Sequence, residues 1–137
     1  EAYKRLFFAQ DLIVDHFDLG GPMNGLLSVH RKFPEQDILF MACDMIEMEQ
    51  TIIRDIVDAY EKNKAFDFYA YEVERVVQPF CAIYTAKALE NMLYKLEQQS
   101  LASSSMRYTL ENGNTYRMST PDSFSFVNYN TLDERKK

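Results

Sequence analysis

The arrangement of apolar and polar positions divides the chain into strand-like and helix-like stretches. The longest apolar run is Ile38-Leu39-Phe40-Met41-Ala42-Cys43, framed by Asp37 and Asp44. No polar residue interrupts it, which predicts a strand buried on both faces, the habit of a central parallel strand between two layers of helices. Glu49 to Glu61 follows with Ile52, Ile53, Ile56, Val57 and Tyr60 on one stripe, the pattern of an amphipathic helix. Phe66 to Val73 and Val76 to Tyr84 are rich in aromatic and β-branched residues and predict strands. From Ala86 to Gln98 the period returns to helical, with Leu89, Met92, Leu93 and Leu96 on one face.

The remaining stretches are shorter. Residues Ala2 to Ala9 fit the end of a helix, and Leu12-Ile13-Val14 fits a short buried strand ending at Asp15. A turn-rich segment, Asp18 to Gly25, leads into a helix over Leu26 to Phe33 that Pro34 stops. Ser104 or Ser105 is placed to cap a short helix running through Leu110. Asn114 to Met118 and Phe124 to Asn128 predict two further strands around a turn at Pro121-Asp122, and Thr131-Leu132-Asp133-Glu134 is a capping box. Strands alternating with helices predict an α/β, three-layer α/β/α domain with a mostly parallel, Rossmann-like sheet.

Composition narrows the classes of function. The 137 residues suit one domain; 47% are hydrophobic and 26% charged. Ten Phe and nine Tyr with only four Gly and four Pro exclude a disordered chain. A net charge of −6 argues against broad binding to nucleic acid or an anionic membrane. No apolar run approaches the roughly 20 residues of a membrane helix. Cys43 and Cys81 read as small buried hydrophobes, which predicts a reducing, cytoplasmic setting. Together with His16 and His30 they show no zinc-finger spacing.

Candidate chemistry follows from topology. In open α/β sheets ligands bind beyond the carboxyl ends of the strands. Two predicted strands end in an aspartate, at Asp15 and Asp44. A carboxylate in that place either holds Mg²⁺, which takes one or two protein carboxylates plus phosphate oxygens, or caps the helix that follows. The turn Gly20-Gly21-Pro22-Met23-Asn24-Gly25 either lets a ligand approach the backbone at a helix start or is a plain connection. It is neither a P-loop nor a dinucleotide fingerprint. Neither histidine has an obvious Ser or Cys partner, and there is no GxSxG elbow. Ser103-Ser104-Ser105 with Arg107 reads as a loop and helix cap ahead of a phosphate site.

Five motifs, in order, resemble molybdenum cofactor guanylyltransferases. Gly21-Pro22-Met23-Asn24-Gly25 is similar to their GPLxG turn, and Leu39 to Met45 to their buried strand with its ACDMP ending. Gln78 to Tyr84 is similar to their PLxALY strand, Ser105-Met106-Arg107 to their SLR-like helix start, and Phe126 to Thr131 to the closing F-x-N-x-N-T. The resemblance implies a nucleotidyltransferase that uses GTP and Mg²⁺ to attach GMP to the terminal phosphate of molybdopterin, releasing pyrophosphate. It implies Asp44 as the catalytic, metal-binding aspartate and Asp15 as a nucleotide contact. It sets Gly21, Pro22 and Gly25 beside the nucleoside, and Asn128 and Asn130 on the substrate side. Arg75, Lys87 and Arg107 either meet the acceptor phosphate or stay solvated.

The sequence departs from the family where Ile46 replaces a proline and where Gln98 to Ser104 lacks a glycine. It also holds no LxGGxSxRMGxxK phosphate loop. The resemblance therefore implies that residues 1–137 are the C-terminal portion of a single nucleotidyltransferase domain, with an exposed sheet edge that favours self-association. Two alternatives are a relative using CTP or another acceptor, and a non-catalytic module that kept the fold. A triphosphate carries about four negative charges, and an acidic chain without the basic loop holds it poorly. Equilibrium dialysis of residues 1–137 with GTP and Mg²⁺ should show no low-micromolar binding; such binding refutes this expectation.

Overall fold

β2 (Phe68–Val73) is the strand around which the other elements assemble. Four of its residues in succession, Phe68, Tyr69, Ala70 and Tyr71, are buried. Because side chains alternate across a strand, this run needs cover on both faces. The computed structural model describes residues 13–42 and 49–119. The helix end expected over 2–9, Asp44, the strand expected over 124–128 and the capping box at 131–134 lie outside the described residues.

The elements follow in the order α1 (Pro22–Lys32), β1 (Ile38–Phe40), α2 (Gln50–Lys62), β2, β3 (Val76–Val77), β4 (Ala82–Tyr84), α3 (Ala86–Glu97), α4 (Met106–Asn112) and β5 (Thr115–Ser119). Phe68, Ala70, Ala82 and Tyr84 face one layer, where Met23, Leu26 and Leu27 of α1 meet Leu89 and Met92 of α3 and Met106 and Leu110 of α4. Tyr69, Tyr71 and Ile83 face the other, against Ile52 and Ile56 of α2. The three-layer α/β expectation holds. So do the predicted stripes: Ile53, Val57 and Tyr60 complete the α2 face, and Leu93 and Leu96 complete that of α3. Among the described residues no helix is long and apolar enough to cross a membrane.

The sheet is mixed, and this corrects the mostly parallel expectation for the described strands. β4 lies between β1 and β2 and runs against both, so that Ile83 is level with Leu39 on one side and Tyr69 on the other. β3 extends the line of β4 along β2, also antiparallel. Only β5 pairs in parallel, with Phe68 opposite Thr115 and Glu72 opposite Ser119. β1, β2 and β5 thus share one direction, but an opposed strand separates β1 from β2.

Other expectations change as well. The described part of the apolar run, residues 38–42, is not buried on both faces: Leu39 is 36% and Met41 38% exposed. β1 ends the strand order of the described sheet, and apolar composition alone does not bury a strand on a side where no described strand pairs with it. Ile13 and Val14 belong to no strand, and Val14 is 74% exposed. α1 begins at Pro22, four residues ahead of the expected start, because proline at the first helical turn costs no hydrogen bond and presets the helical φ.

The strand expected over Val76–Tyr84 is broken at Pro79-Phe80-Cys81, where Pro79 has no amide to donate and Cys81 adopts φ 59°. The Tyr84 hydroxyl donates back to the Pro79 carbonyl at 2.8 Å and holds the bulge. The β2–β3 hairpin turns on Glu74 and Arg75, both with left-handed φ (51° and 67°), the geometry of a two-residue turn whose twist matches its strands.

Polar groups fasten the layers. Tyr71 donates from its buried hydroxyl to the Ile52 carbonyl at 2.7 Å, and Tyr69 donates to the Asn63 carbonyl. At the entrance to β1, Asp37 accepts the Ala86 amide at 2.7 Å and the Tyr60 hydroxyl, joining β1, α3 and α2. That hydrogen bond to the carboxylate is the main cause raising the Tyr60 phenol above its ordinary range.

Gly113 closes α4 in a space that admits no side chain. A Cβ there would stand 2.6 Å from the Phe68 ring and 2.8 Å from the Thr109 carbonyl oxygen. One of those contacts is backbone and the other belongs to the central strand, so neither yields easily. Gly113→Ala should therefore destabilise the fold by about 1–3 kcal/mol, the usual cost of overpacking. Urea denaturation of the variant beside the parent measures this; an unchanged midpoint would show that Phe68 is free to move.

Candidate functional site

The sheet directions define a rim. β1 and β2 both point their carboxyl ends toward it, and α1 starts there, because its last turn lies next to the segment that enters β1. The chain leaves β1 through Met41 and Ala42 on the way to Asp44, which itself lies outside the described residues. Asp15, Gly21, Pro22 and Gly25 gather at the start of α1. Asn128 and Asn130 also fall outside the described residues.

Gly21 is the N-cap of α1, with φ 76° and ψ −171°. This conformation favours glycine, and the space around it is open: nothing lies within 4 Å of where a Cβ would stand. The requirement at Gly21 is therefore one of backbone angle. Pro22 follows in the first turn, and among the described residues no side chain caps the helix start. Among the described residues, the first amides of α1 consequently have no side-chain acceptor.

Asp15 is exposed, and its carboxylate sits over the start of the helix. Asp15 Oδ1 lies 3.5 Å from the position a Cβ on Gly25 would take. Glycine inside a helix costs about 1 kcal/mol relative to alanine. Here it leaves an open face between the helix and the carboxylate.

The segment from Asp15 to Leu19 has no regular secondary structure, and two buried polar side chains of α1 hold it in place. Asn24 Oδ1 accepts the Phe17 amide at 3.1 Å, and Asn24 Nδ2 donates to the carbonyls of Phe17 (2.6 Å) and Leu19 (2.9 Å). Ser28 Oγ accepts the His16 amide at 2.8 Å and donates to the Asn24 carbonyl at 2.7 Å. Phe17 and Leu19 pack against the core beneath. Sequence reasoning passed over both polar residues. Their signal was an Asn and a Ser four residues apart on the face that also carries Leu27.

Other candidates separate from this rim. His30 is fully buried, with Nε2 2.9 Å from Glu90 Oε2 on α3. Cys81 is buried in the break between β3 and β4, and burial pushes its thiol up to about 11, which leaves it a poor nucleophile. Ser105 caps α4, its hydroxyl accepting the Tyr108 amide at 3.2 Å, which makes the serine run a loop and cap. Lys87 lies at the opposite end of the sheet with Asp37 and Asp67, lining a recess of about 280 Å³. A second recess, about 210 Å³, opens at that same end between α3 and α4. Neither of these recesses is lined by the glycine turn or by Asp15.

Residues 3–113 match the family described as MobA-like NTP transferase domain. The chain belongs to that family. It is therefore part of a family of nucleotidyltransferase domains, and the match spans Asp15, Gly21, Pro22, Gly25 and Asp44 but stops short of Asn128 and Asn130. A molybdenum cofactor guanylyltransferase of Haemophilus influenzae is 28% identical over 122 residues, covering 88% of this chain and 61% of the relative. One from Desulfosudis oleivorans is 26% identical over 130 residues, covering 92% and 63%. The chain thus spans about three fifths of the length of these relatives. The structure of molybdopterin-guanine dinucleotide biosynthesis protein A from Archaeoglobus fulgidus superposes with a TM-score of 0.71 at 18% identity, covering 99% of this chain and 72% of that one. That likeness establishes the nucleotidyltransferase fold.

Placing a Cβ at residue 21 forces a side chain into left-handed backbone at the helix start. Gly21→Ala should cost about 1 kcal/mol of stability and shift the entry to α1. Chemical denaturation gives the first quantity, and the amide spectrum of residues 15–25 gives the second. A spectrum unchanged across that segment would show that the cap geometry tolerates a side chain.

Proposed function

We propose that this chain contributes the nucleotide-binding rim of a Mg²⁺-dependent enzyme that transfers GMP from GTP to molybdopterin. The observation that carries the reading is the juxtaposition at the start of α1: a helix N-terminus with no side-chain cap among the described residues, a glycine turn and an exposed carboxylate on one rim of a MobA-like domain. The guanylyltransferase names of its relatives supply the choice of GTP and molybdopterin.

In this reading the nucleoside lies against Gly21, Pro22 and Gly25, beside the Asp15 carboxylate. Asp15 accepts hydrogen bonds from donors on the nucleotide. A terminal phosphate oxygen of molybdopterin forms a new bond to the α-phosphorus of GTP. The bond from that phosphorus to the oxygen bridging to the β-phosphate breaks, and pyrophosphate leaves with the electron pair. Positioning and charge stabilisation make up most of catalysis in such transfers.

The donor set suits Mg²⁺ in one arrangement. Among the described residues no three His, Cys, Asp or Glu side chains cluster as a metal cage. Mg²⁺ needs only one or two carboxylates when phosphate oxygens complete its shell. Asp44 is the proposed metal ligand, with Asp15 the carboxylate facing the nucleotide. Bound there, the ion would neutralise charge on the phosphates. Asn128 and Asn130 belong to the acceptor side in this reading, and the reducing interior of the cell is its setting.

The test is nucleotide transfer by the polypeptide at the full length of its relatives, given molybdopterin, Mg²⁺ and either GTP or CTP. GMP transfer with pyrophosphate release is expected, and Asp44→Asn should lower kcat by roughly a hundredfold or more. Transfer from CTP in preference to GTP would reassign the base. An Asp44→Asn enzyme with parental kcat would remove the metal assignment.

A further inference from the structure

The proposed site depends on a segment that secondary structure does not hold. Among the described residues, no backbone-to-backbone hydrogen bond outside regular elements involves residues 13–20. What fixes Asp15 to Leu19 on α1 is a set of side-chain bonds from two residues that are almost fully buried, Asn24 at 6% and Ser28 at 4% exposure. Their bonds satisfy four backbone groups of the segment: the amides of His16 and Phe17 and the carbonyls of Phe17 and Leu19.

We propose that Asn24 and Ser28 are positioning residues that set the carboxylate of Asp15 over Gly25 and thereby govern affinity for the nucleoside part of the substrate. The inference rests on the reading that Asp15 meets the nucleotide. Apolar packing of Phe17 and Leu19 fixes how deeply the segment sits. It does not fix register, because ring and alkyl contacts are non-directional. The hydrogen bonds are directional, and two of them fall on the residues immediately after Asp15.

The two side chains also act as one unit. Ser28 Oγ donates to the Asn24 carbonyl, lies 3.3 Å from Asn24 Oδ1 and receives the His16 amide. Loss of Ser28 therefore leaves the His16 amide without this acceptor, and loss of Asn24 leaves three backbone groups without theirs. Asp15 would remain present in such variants while its placement over Gly25 is relaxed. Their effect on binding should consequently pass through Asp15.

A double-mutant cycle on residues 1–137 reads this directly. The parent, Asp15→Ala, Asn24→Ala and Asn24→Ala with Asp15→Ala are titrated with GMP, following amide shifts at residues 15–25. GMP carries less charge than the triphosphate and so depends less on a basic loop. Asp15→Ala is expected to weaken binding about tenfold, Asn24→Ala to do nearly the same, and the double variant to lose no more than Asp15→Ala alone. Ser28→Ala repeats the cycle should Asn24→Ala fail to fold, and Ser28→Thr, which restores a hydroxyl, should recover the parental affinity. A stability loss with parental GMP affinity in both Asn24→Ala and Ser28→Ala, or additive losses in the double variant, would overturn the proposal and leave the pair purely structural. Parental affinity in Asp15→Ala, or no response to GMP at residues 15–25, would instead remove the reading of Asp15 as a nucleotide contact, and this proposal with it.

Discussion

The fold rests on the requirement that β2 be covered on both sides. Phe68 and Ala70 point one way, Tyr69 and Tyr71 the other, and all four are removed from water. An aromatic side chain buries on the order of 150–250 Å², so leaving either face open would forfeit much of the apolar driving force. The tyrosines also bring hydroxyls into the interior, and these need acceptors. Tyr71 finds the carbonyl of Ile52, and Tyr69 that of Asn63. Each bond ties the sheet to α2 or its C-terminal cap, so the same residues that demand a helical cover also fix its position. Burial raises the Tyr71 phenol well above its ordinary range, which keeps it a donor at any ordinary pH.

This constraint delivers a functional rim as a by-product. With helices on both faces of the sheet, ligand access is left to the ends of the strands. At one end the Asp37 carboxylate accepts from Ala86 and Tyr60, and the Thr85 hydroxyl donates to the Asp67 carbonyl. At the other, α1 starts without a side-chain cap among the described residues, and the chain before it is held by Asn24 and Ser28. Asp37 and Thr85 at the first end are engaged in holding helices and strands together. At the second end a carboxylate remains exposed over a helix face that has no side chain at Gly25. The two recesses described above lie at the first end.

Much of this was legible in the sequence where a single element decides its own pattern. The stripes of α2 and α3 could be read residue by residue, because a 3.6-residue period is internal to the helix. The Gly-Pro turn was legible for the same reason: Gly21 supplies the left-handed φ and Pro22 the first helical turn, whatever surrounds them. Neighbour-dependent properties were harder to see. Ile38 to Cys43 and Phe68 to Tyr71 are both unbroken apolar runs, yet only the second is covered on both faces within the described sheet. Composition reports that a strand can be central; hydrogen-bonded neighbours decide whether it is. The antiparallel course of β4 was hidden likewise, since its direction is set by the β2–β3 hairpin and the bulge at Pro79-Phe80-Cys81. The hairpin turn uses Glu74 and Arg75 in place of the glycine or asparagine that would have announced it.

The same distinction explains why Asn24 and Ser28 escaped notice while Asp15 did not. An aspartate after an apolar pair invites a functional reading wherever it stands. An asparagine and a serine on the inner face of a helix read as faults in an apolar stripe until the backbone they satisfy is seen. Burying them without partners would cost about 1–3 kcal/mol each, so a fold that keeps them needs the segment at residues 16–19 in place. The dependence runs both ways: the segment holds no ladder of its own, and the helix would carry unsatisfied polar groups without it. A site built in this way acquires a defined geometry without lengthening a strand or helix into the rim, where added side chains would fill the space a ligand needs.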